Sequence, residues 1–497
     1  MNWRKALKRP QNILWVVLFV SLPITSFPFF PPGLGGKALV RPFALYPLLL
    51  LLIIMTLPRL FKEPLPRAFL TIIPFIAVSL ISSTLALFQG VEPFNGVSVF
   101  DRVVRAFITL GIGGAFFLTI LVYPRTTKDL KTGLRWLYFG MAGALLLGTL
   151  QAIYVINFTP QWFSFMSEIQ GFISIRRLFE YRVSGPTYEP HWFAQQIAFL
   201  LLPWTLSAIV NRFSLFKWRL RWITVEMLLT AWAIFILTFT FSRSGLMAML
   251  AIGFLSVLFF FRSQDTQKQE PRSNLKGNGL FRRALRPIGI GLLILCVLLV
   301  AIFLVGRNNA FFSRLWDFEN LGLEVRSFSD YLRVIGLSQR FFYWSAAANI
   351  FEAHPVLGVG LGNYTFYFDE HMPDVHLAWF PELLTYIVPE SDHNQFVTPK
   401  NLYLRLLAET GAFGLTAFLA FVLFIFGRAI YMTLSVDKEQ RFWGTAGVLG
   451  VVAFTLDALT LDSFALPTMW VVFGLVTAAW RVYLASPIRN QAHSESD

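Results

Sequence analysis

The stretch from Pro287 to Val305, PIGIGLLILCVLLVAIFLV, carries no charged side chain. A helix needs about 20 mostly apolar residues to cross the hydrocarbon core of a bilayer, so this stretch predicts a membrane-spanning helix. Similar apolar runs recur along the whole chain. They lie near residues 12–30, 38–57, 68–88, 104–123, 134–157, 191–211, 222–241, 245–262, 287–305, 411–428, 442–459 and 465–484. The pattern predicts an all-α, polytopic integral membrane protein with about twelve transmembrane helices.

The composition agrees with a membrane protein and excludes several other classes. Of the 497 residues, 56% are hydrophobic and only 14% are charged, and the mean hydropathy is +0.59. A soluble domain carries about 25% charged residues. The formal net charge is +14, but the basic residues fill short gaps between apolar runs, so we expect no nucleic-acid partner. The single cysteine, Cys296, excludes an intramolecular disulfide and a cysteine-based metal site.

The distribution of Lys and Arg predicts the topology. Basic residues collect in five segments between apolar runs, namely 58–67, 124–133, 212–221, 262–286 and 427–441. The alternate segments 88–101 and 459–465 are nearly neutral. Because cytoplasmic loops of membrane proteins carry an excess of Lys and Arg, we expect the basic segments and the N-terminus to lie in the cytoplasm.

This topology divides the chain into four parts. Residues 1–305 form the first nine transmembrane helices, with residues 263–286 as a flexible basic loop in the cytoplasm. Residues 306–409 form a large outer loop, which is too long for a simple connection and is therefore expected to be functional. Residues 410–484 form the last three transmembrane helices, and residues 485–497 form a cytoplasmic tail.

A glycine cluster, GVGLGN at 358–363, lies in the large outer loop. It lacks the Lys-Ser/Thr pair with which a nucleotide-binding P-loop contacts phosphate and magnesium. Its predicted place outside the cytoplasm also separates it from ATP. We interpret the glycines as a turn that packs closely against its neighbours, because glycine adopts backbone conformations that other residues avoid.

The residues around this cluster resemble a family signature. The stretch 340–363 fits R-x-x-x-W-x-x-A-x-x-I-x-x-x-x-P-x-x-G-x-G-x-G, and SRSG at 242–245 and NLYLRLLAETGAFG at 401–414 occur in the same order. Together they resemble the O-antigen ligase and polymerase family of bacterial envelope glycosyltransferases. The resemblance covers most of the chain from about residue 100 onward.

The resemblance implies an enzyme of the bacterial cytoplasmic (inner) membrane with its active site on the periplasmic side. Such an enzyme transfers a glycan from undecaprenyl diphosphate to an acceptor hydroxyl. The acceptor is the lipid A core or a similar molecule in a ligase, and another lipid-linked glycan in a polymerase. A further alternative is a transporter of a small, bicarbonate-like anion. The outer position of the functional-looking groups favours the enzyme, since transporters place charged residues at the bilayer midplane.

The lipid diphosphate that leaves the donor needs cationic stabilisation. The outer segments contain no tight acidic cluster for magnesium, so we expect no metal and no cofactor. Arginine can replace a metal because its guanidinium forks onto phosphate oxygens. By resemblance, Arg243 and Arg340 contact the diphosphate, and Arg182 is a third candidate.

The acceptor hydroxyl needs a general base. Family members place a His-Asn pair before the Y-L run, but here the pair is Lys400-Asn401. An ordinary lysine is protonated at neutral pH and cannot accept a proton. A histidine lies seven residues earlier, and we favour His393 as the base with Lys400 as an added cation. The reverse assignment stays open.

Three further residues are candidates for contacts with the acceptor or the sugar: Trp344, Glu189 and Asn401. Trp344 could stack on a sugar or anchor the chain at the membrane interface. Glu189 could contact a substrate or could only match the dipole of the helix that follows it.

Overall fold

The structure of the protein is a computed structural model that describes residues 3–31, 39–267, 277–317, 327–373 and 396–484. Most of the described chain is helical, and one hairpin of two-residue strands, β1 (Arg219–Leu220) and β2 (Ile223–Thr224), pairs Arg219 with Thr224. The prediction of an all-α polytopic membrane protein is confirmed.

Ten helices precede the large outer segment. They are α1 (Trp3–Ser21), α2 (Leu45–Leu60), α3 (Arg67–Ala86), α4 (Val99–Val122), α5 (Thr127–Ile156), α6 (Pro160–Ile173), α7 (Pro190–Asn211), α8 (Val225–Phe239), α9 (Arg243–Gln267) and α10 (Gly277–Gly306). In several of these helices, the side chain of the residue before the helix caps the first turn. Thr126 forms a capping box with Asp129 at the start of α5, and Ser98 accepts a hydrogen bond from the Asp101 amide at the start of α4.

Seven more helices follow. They are α11 (Ala310–Ser313), α12 (Phe328–Val334), α13 (Ser338–Ala353), α14 (Tyr364–His371), α15 (Leu402–Thr433), α16 (Lys438–Asp457) and α17 (Pro467–Leu484). The predicted division between residues 409 and 410 falls inside α15, where Gly411 breaks the helical backbone. The outer segment is thus joined directly to a membrane helix.

Each of the twelve apolar runs overlaps a helix, although the helix in run 12–30 ends at Ser21 and the one in run 38–57 begins at Leu45. Eight of these helices are long and apolar enough to cross a membrane, and three shorter apolar helices cover Pro10–Ser21, Leu45–Leu60 and Val225–Phe239. The remaining run corresponds to α16. A total of twelve crossings stays a prediction.

The flexible loop predicted at 263–286 is only partly a loop. Helix α9 continues to Gln267 and α10 begins at Gly277, so both ends of the stretch are helical in backbone. The reason is that polar helix formers such as Gln267 extend an apolar helix beyond the lipid. Residues 268–276 lie outside the described part of the chain.

Four of the basic segments meet at one end of the helices. An ion pair between Arg125 and Glu63 (2.5 Å) joins segments 58–67 and 124–133, and an ion pair between Lys131 and Glu439 (2.5 Å) joins segment 427–441 to them. Arg135, one turn further along α5, donates to the carbonyl oxygen of Leu215 in segment 212–221 (2.8 Å). The segments predicted to share the cytoplasmic face therefore form one charged layer.

A second charged layer lies at the other end of the same helices. Helix α4 carries Arg102 near its start, and the Val122 carbonyl at its end accepts a hydrogen bond from Arg59 of the first layer (2.9 Å). With a rise of 1.5 Å per residue, Arg102 and Val122 are about 30 Å apart. This distance equals the thickness of the hydrocarbon core of a bilayer, so the two layers suit its two surfaces.

The glycine loop GVGLGN fits into the break in α15. Gly411 has φ +65° and ψ −169°, which interrupts the helical hydrogen bonds around it. The Val359 and Gly360 amides donate to the Ala408 and Glu409 carbonyls (3.0 and 2.8 Å), and the Ala412 amide donates to the carbonyl of Pro355 (2.9 Å). The loop therefore satisfies backbone groups that the break leaves open, as burial requires. The structure agrees with a packing role for the glycines.

Gly411→Ala should lower the free energy of unfolding by about 2–5 kcal/mol. The positive φ is strained for alanine, and an added Cβ would lie 2.2 Å from the Val356 carbonyl oxygen. Thermal unfolding in detergent, followed by tryptophan fluorescence, measures the effect. Gly427→Ala on the same helix is the control, because no atom lies within 4 Å of its added Cβ. Equal stability of the two variants would contradict this account.

Candidate active site

A cavity of about 2140 Å³ opens at the end of the helices that carries Arg102. Its walls include the two nearly neutral segments, at Asn95–Val97 and Leu459–Ala465, together with parts of the large outer segment. Nine cationic side chains line it: Arg41, Arg102, Arg105, Arg176, Arg182, Arg243, Arg340, Lys400 and Arg405. Among the described residues, only two carboxylates, Glu189 and Asp462, line the same walls. Such an excess of positive charge in a concave site favours an anionic ligand.

Arg243 is the first residue of α9 and faces this cavity. Its Nη2 donates to the Ile335 carbonyl at the end of α12 (2.8 Å), which holds the guanidinium against the outer segment. Gly245 allows α9 to approach α7 closely, since an added Cβ would lie 2.5 Å from the Cβ of Ala194. The SRSG sequence thus places a fixed guanidinium at the membrane surface.

Arg340 lies in the first turn of α13, and Trp344 lies one turn later on the same face. Both line the cavity. Arg340 Nη1 is 3.5 Å from the Thr460 carbonyl oxygen, so α13 contacts the segment between α16 and α17. Ala347, which the helical spacing assigns to the same face, is instead fully buried in the packing of α13 against its neighbours.

Arg182 reaches the cavity from the segment between α6 and α7. Its Nε donates to the Thr240 carbonyl (2.9 Å), and its guanidinium carbon lies 4.2 Å from the centre of the Phe311 ring. Burial lowers the pKa of Arg182 to about 10; Glu189 opposes this shift, and the charges of nearby arginines, Arg243 among them, add to it. The three predicted diphosphate ligands therefore share one cavity, where an anion would relieve their repulsion.

Lys400 also lines the cavity and has an unusual backbone, with φ +50°. Its amide donates to Asp462 Oδ2 (2.9 Å), and its Nζ lies 5.2 Å from the centre of the Tyr343 ring. Asn401 has a different role: its Oδ1 caps α15 by accepting from the Tyr403 amide (3.0 Å), and it does not line the cavity. The predicted base, His393, lies outside the described residues.

Sequence reasoning missed the pair formed by Arg405 and Glu409. These residues are four apart on α15, and Arg405 Nε lies 3.0 Å from Glu409 Oε2, with the side chains only 11% and 1% exposed. Arg405 Nη1 also donates to the Asp462 carbonyl (2.6 Å). The i, i+4 spacing of an Arg and a Glu within an apolar helix was the signal that could have revealed it.

A second missed group is Arg41, Arg102 and Arg105. Arg102 Nε donates to the Gly362 carbonyl (2.8 Å), so it links α4 to the glycine loop. Its guanidinium carbon lies 4.6 Å from the centre of the Phe396 ring. The spacing of Arg102 and Arg105 at the start of an apolar helix resembles that of ordinary interfacial residues, and nothing in the sequence connects them with residue 362.

The third missed group surrounds Glu189, which precedes α7. Arg176 Nη1 lies 3.0 Å from Glu189 Oε1, and His191 Nδ1 lies 2.9 Å from Glu189 Oε2. Nothing in the sequence marks Arg176 or His191 as partners of Glu189 in a functional site. The structure instead places both on the wall of the cavity.

Within the described ranges, no three His, Cys, Asp or Glu side chains gather as a metal site would require. The two cavity carboxylates have other partners, since Glu189 pairs with Arg176 and Asp462 accepts from the Lys400 amide. The guanidinium and ammonium groups on the cavity wall suit an anionic ligand.

Comparison with known proteins agrees with this geometry. Residues 228–419 match the family model described as O-antigen ligase. The matched range contains Arg243, Arg340 and Lys400 together with the glycine loop and the break in α15, whereas Arg182 and His191 precede it. No curated protein matches the chain. Residues 228–419 thus match an O-antigen ligase domain, and the chain that carries them is a multi-pass membrane protein.

Proposed function

We propose that this protein transfers a glycan from undecaprenyl diphosphate to an acceptor hydroxyl, such as that of a lipid A core. The observation that carries the proposal is the cavity in which Arg182, Arg243 and Arg340 converge within an O-antigen ligase domain and its flanking helices. A lipid diphosphate is an anion that arrives from the bilayer, and this cavity adjoins the ends of the membrane helices.

The chemistry of transfer explains the excess of cations. The acceptor oxygen attacks the anomeric carbon of the donor sugar, and the bond from that carbon to the diphosphate oxygen breaks. Negative charge grows on the diphosphate in the transition state. Guanidinium groups held by backbone carbonyls, as Arg182 and Arg243 are, stabilise this charge without reorganising. Lys400 adds a further cation, and the reaction needs no divalent metal.

The two charged layers support a site at the outer face of the bacterial cytoplasmic membrane. The basic layer around Arg125 and Lys131 suits the cytoplasmic surface. The cavity lies about 30 Å away, a distance set by the 1.5 Å rise of α4, and therefore at the opposite surface. The elongated donor and the acceptor meet there, with the polyprenyl chain in the bilayer.

Arg243→Lys and Arg340→Lys should each lower kcat by about 10²-fold or more, as loss of a transition-state hydrogen bond does. An ammonium is a point charge and cannot fork onto two phosphate oxygens. Release of undecaprenyl diphosphate from its glycan conjugate measures turnover. The control is Arg428→Lys on α15, where the guanidinium stacks on Phe424 outside the cavity. Wild-type turnover in both cavity variants would exclude the proposed diphosphate contacts.

Lys400→Ala should weaken the binding of undecaprenyl diphosphate by about 1.5–3 kcal/mol, the contribution of a hydrogen bond to a charged group. Lys400→His recreates the pair usual in the family and should keep both binding and transfer. Binding to protein in lipid nanodiscs measures the first effect. If Lys400→Ala bound the lipid normally but transferred nothing, Lys400 would be a base and not a donor ligand.

The topology predicts opposite labelling of two introduced cysteines. Asn308→Cys lies between α10 and α11 and Lys128→Cys lies at the start of α5; both positions are exposed. In a Cys296→Ala background, an impermeant maleimide should label Asn308→Cys in cells with a permeable outer membrane, and Lys128→Cys only after lysis. Labelling of both from one side would exclude the proposed orientation.

A further inference from the structure

The start of α7 presents an imidazole to the cavity. His191 is the second residue of this helix, lines the cavity, and has a side chain that is 23% exposed. Its Nδ1 lies 2.9 Å from Glu189 Oε2. Nε2, the other ring nitrogen, has no hydrogen-bond partner among the described residues. One nitrogen is thus fixed by a carboxylate, and the other is available to a ligand.

The carboxylate that orients the imidazole is itself held in place. Arg176 Nη1 contacts Glu189 Oε1 at 3.0 Å, and the Arg176 guanidinium lies between the rings of Phe179 and Tyr188, at 4.7 and 4.8 Å from their centres. The Glu189 carbonyl accepts from the Trp192 amide (3.0 Å) and so begins α7. These contacts hold the carboxylate in place, and the carboxylate in turn orients the imidazole ring.

The charges around the pair suit proton transfer. Burial raises the pKa of the Glu189 carboxyl, but the hydrogen bond and charge of His191 and the charges of Arg176 and Lys400 lower it to about 2. Glu189 therefore stays ionised and stabilises an imidazolium beside it. Arg182 and Arg340 line the same cavity as His191, so the pair lies among further positive charges.

We propose that His191 is the general base of the transfer reaction and that Glu189 is its positioning residue. This inference rests on the proposed function. As the acceptor oxygen bonds to the anomeric carbon, its proton moves to His191 Nε2, and undecaprenyl diphosphate leaves with the electron pair of the broken bond. The imidazolium then returns the proton to water. A neutral imidazole beside a fixed carboxylate is the usual arrangement for this step.

His191 also supplies the base that is missing at position 400, where this chain differs from the family signature. The family's imidazole is replaced there by the Lys400 ammonium, which adds charge for the diphosphate. An imidazole from α7 restores a base to the same cavity, whose walls include both residues. The assignment replaces His393, which the sequence alone favoured.

The test compares histidine variants of the full-length protein in nanodiscs, with the undecaprenyl-diphosphate-linked oligosaccharide of the producing strain as donor and its membrane extract as acceptor. His191→Gln should lower kcat by about 10²–10⁴-fold, the usual contribution of a general base. Binding of undecaprenyl diphosphate should change little. Glu189→Gln should lower kcat by a smaller factor. In His191→Gly, added imidazole should restore part of the turnover, which a purely structural histidine would not allow.

Two controls separate this assignment from its rivals. His371→Gln removes an imidazole outside the cavity, where Nδ1 contacts the Tyr367 carbonyl (2.9 Å), and should keep wild-type turnover. His393→Gln should also keep it. Full activity of His191→Gln, or a loss that imidazole does not rescue in His191→Gly, would overturn the assignment while leaving glycan transfer intact. A wild-type protein that releases no undecaprenyl diphosphate would overturn the proposed function, and this inference with it.

Discussion

The break in α15 at Gly411 is the constraint on which the outer half of the protein depends. A helix interrupted near the membrane exposes amides and carbonyls that must find partners within the protein. The glycine loop supplies these partners. The Ser83 hydroxyl of α3 also binds the loop, because it accepts a hydrogen bond from the Leu361 amide (2.9 Å). Helices α13 and α15 are thereby fixed relative to each other. Arg340 on α13 and Lys400, two residues before α15, are held in one geometry by these backbone contacts.

The cavity carries more positive charge than the surrounding protein neutralises. Two of its cations pair with carboxylates: Arg176 with Glu189, and Arg405 with Glu409 in a nearly water-free position. Removing one partner of such a pair costs about 3–5 kcal/mol. Arg182 and Arg243 instead donate to backbone carbonyls, which orient a guanidinium without cancelling its charge. This division gives Arg405 a role in holding the wall and leaves the charge of Arg182 and Arg243 for an anion.

Much of the architecture was predictable because the bilayer imposes simple rules. The apolar runs predicted the helices, and the Lys and Arg distribution predicted which segments share a face, as the ion pair between Lys131 and Glu439 confirms. The family resemblance led to Arg182, Arg243 and Arg340 as candidates for one site, and all three line the cavity. Their contact with a diphosphate stays a prediction. The fold prediction succeeded because its signal lies in local composition.

The sequence by itself determined the fold class and the alternation of charged and apolar segments, and the resemblance suggested Arg182, Arg243 and Arg340 as site residues. Only the tertiary structure decided which other residues reach them. Arg102 is 260 positions from the carbonyl of Gly362 that it contacts, and the pairing of Glu189 with Arg176 and His191 depends on how the chain turns before α7. Hydrophobic periodicity records which face of a helix is buried, but not which distant side chain the packing brings against it.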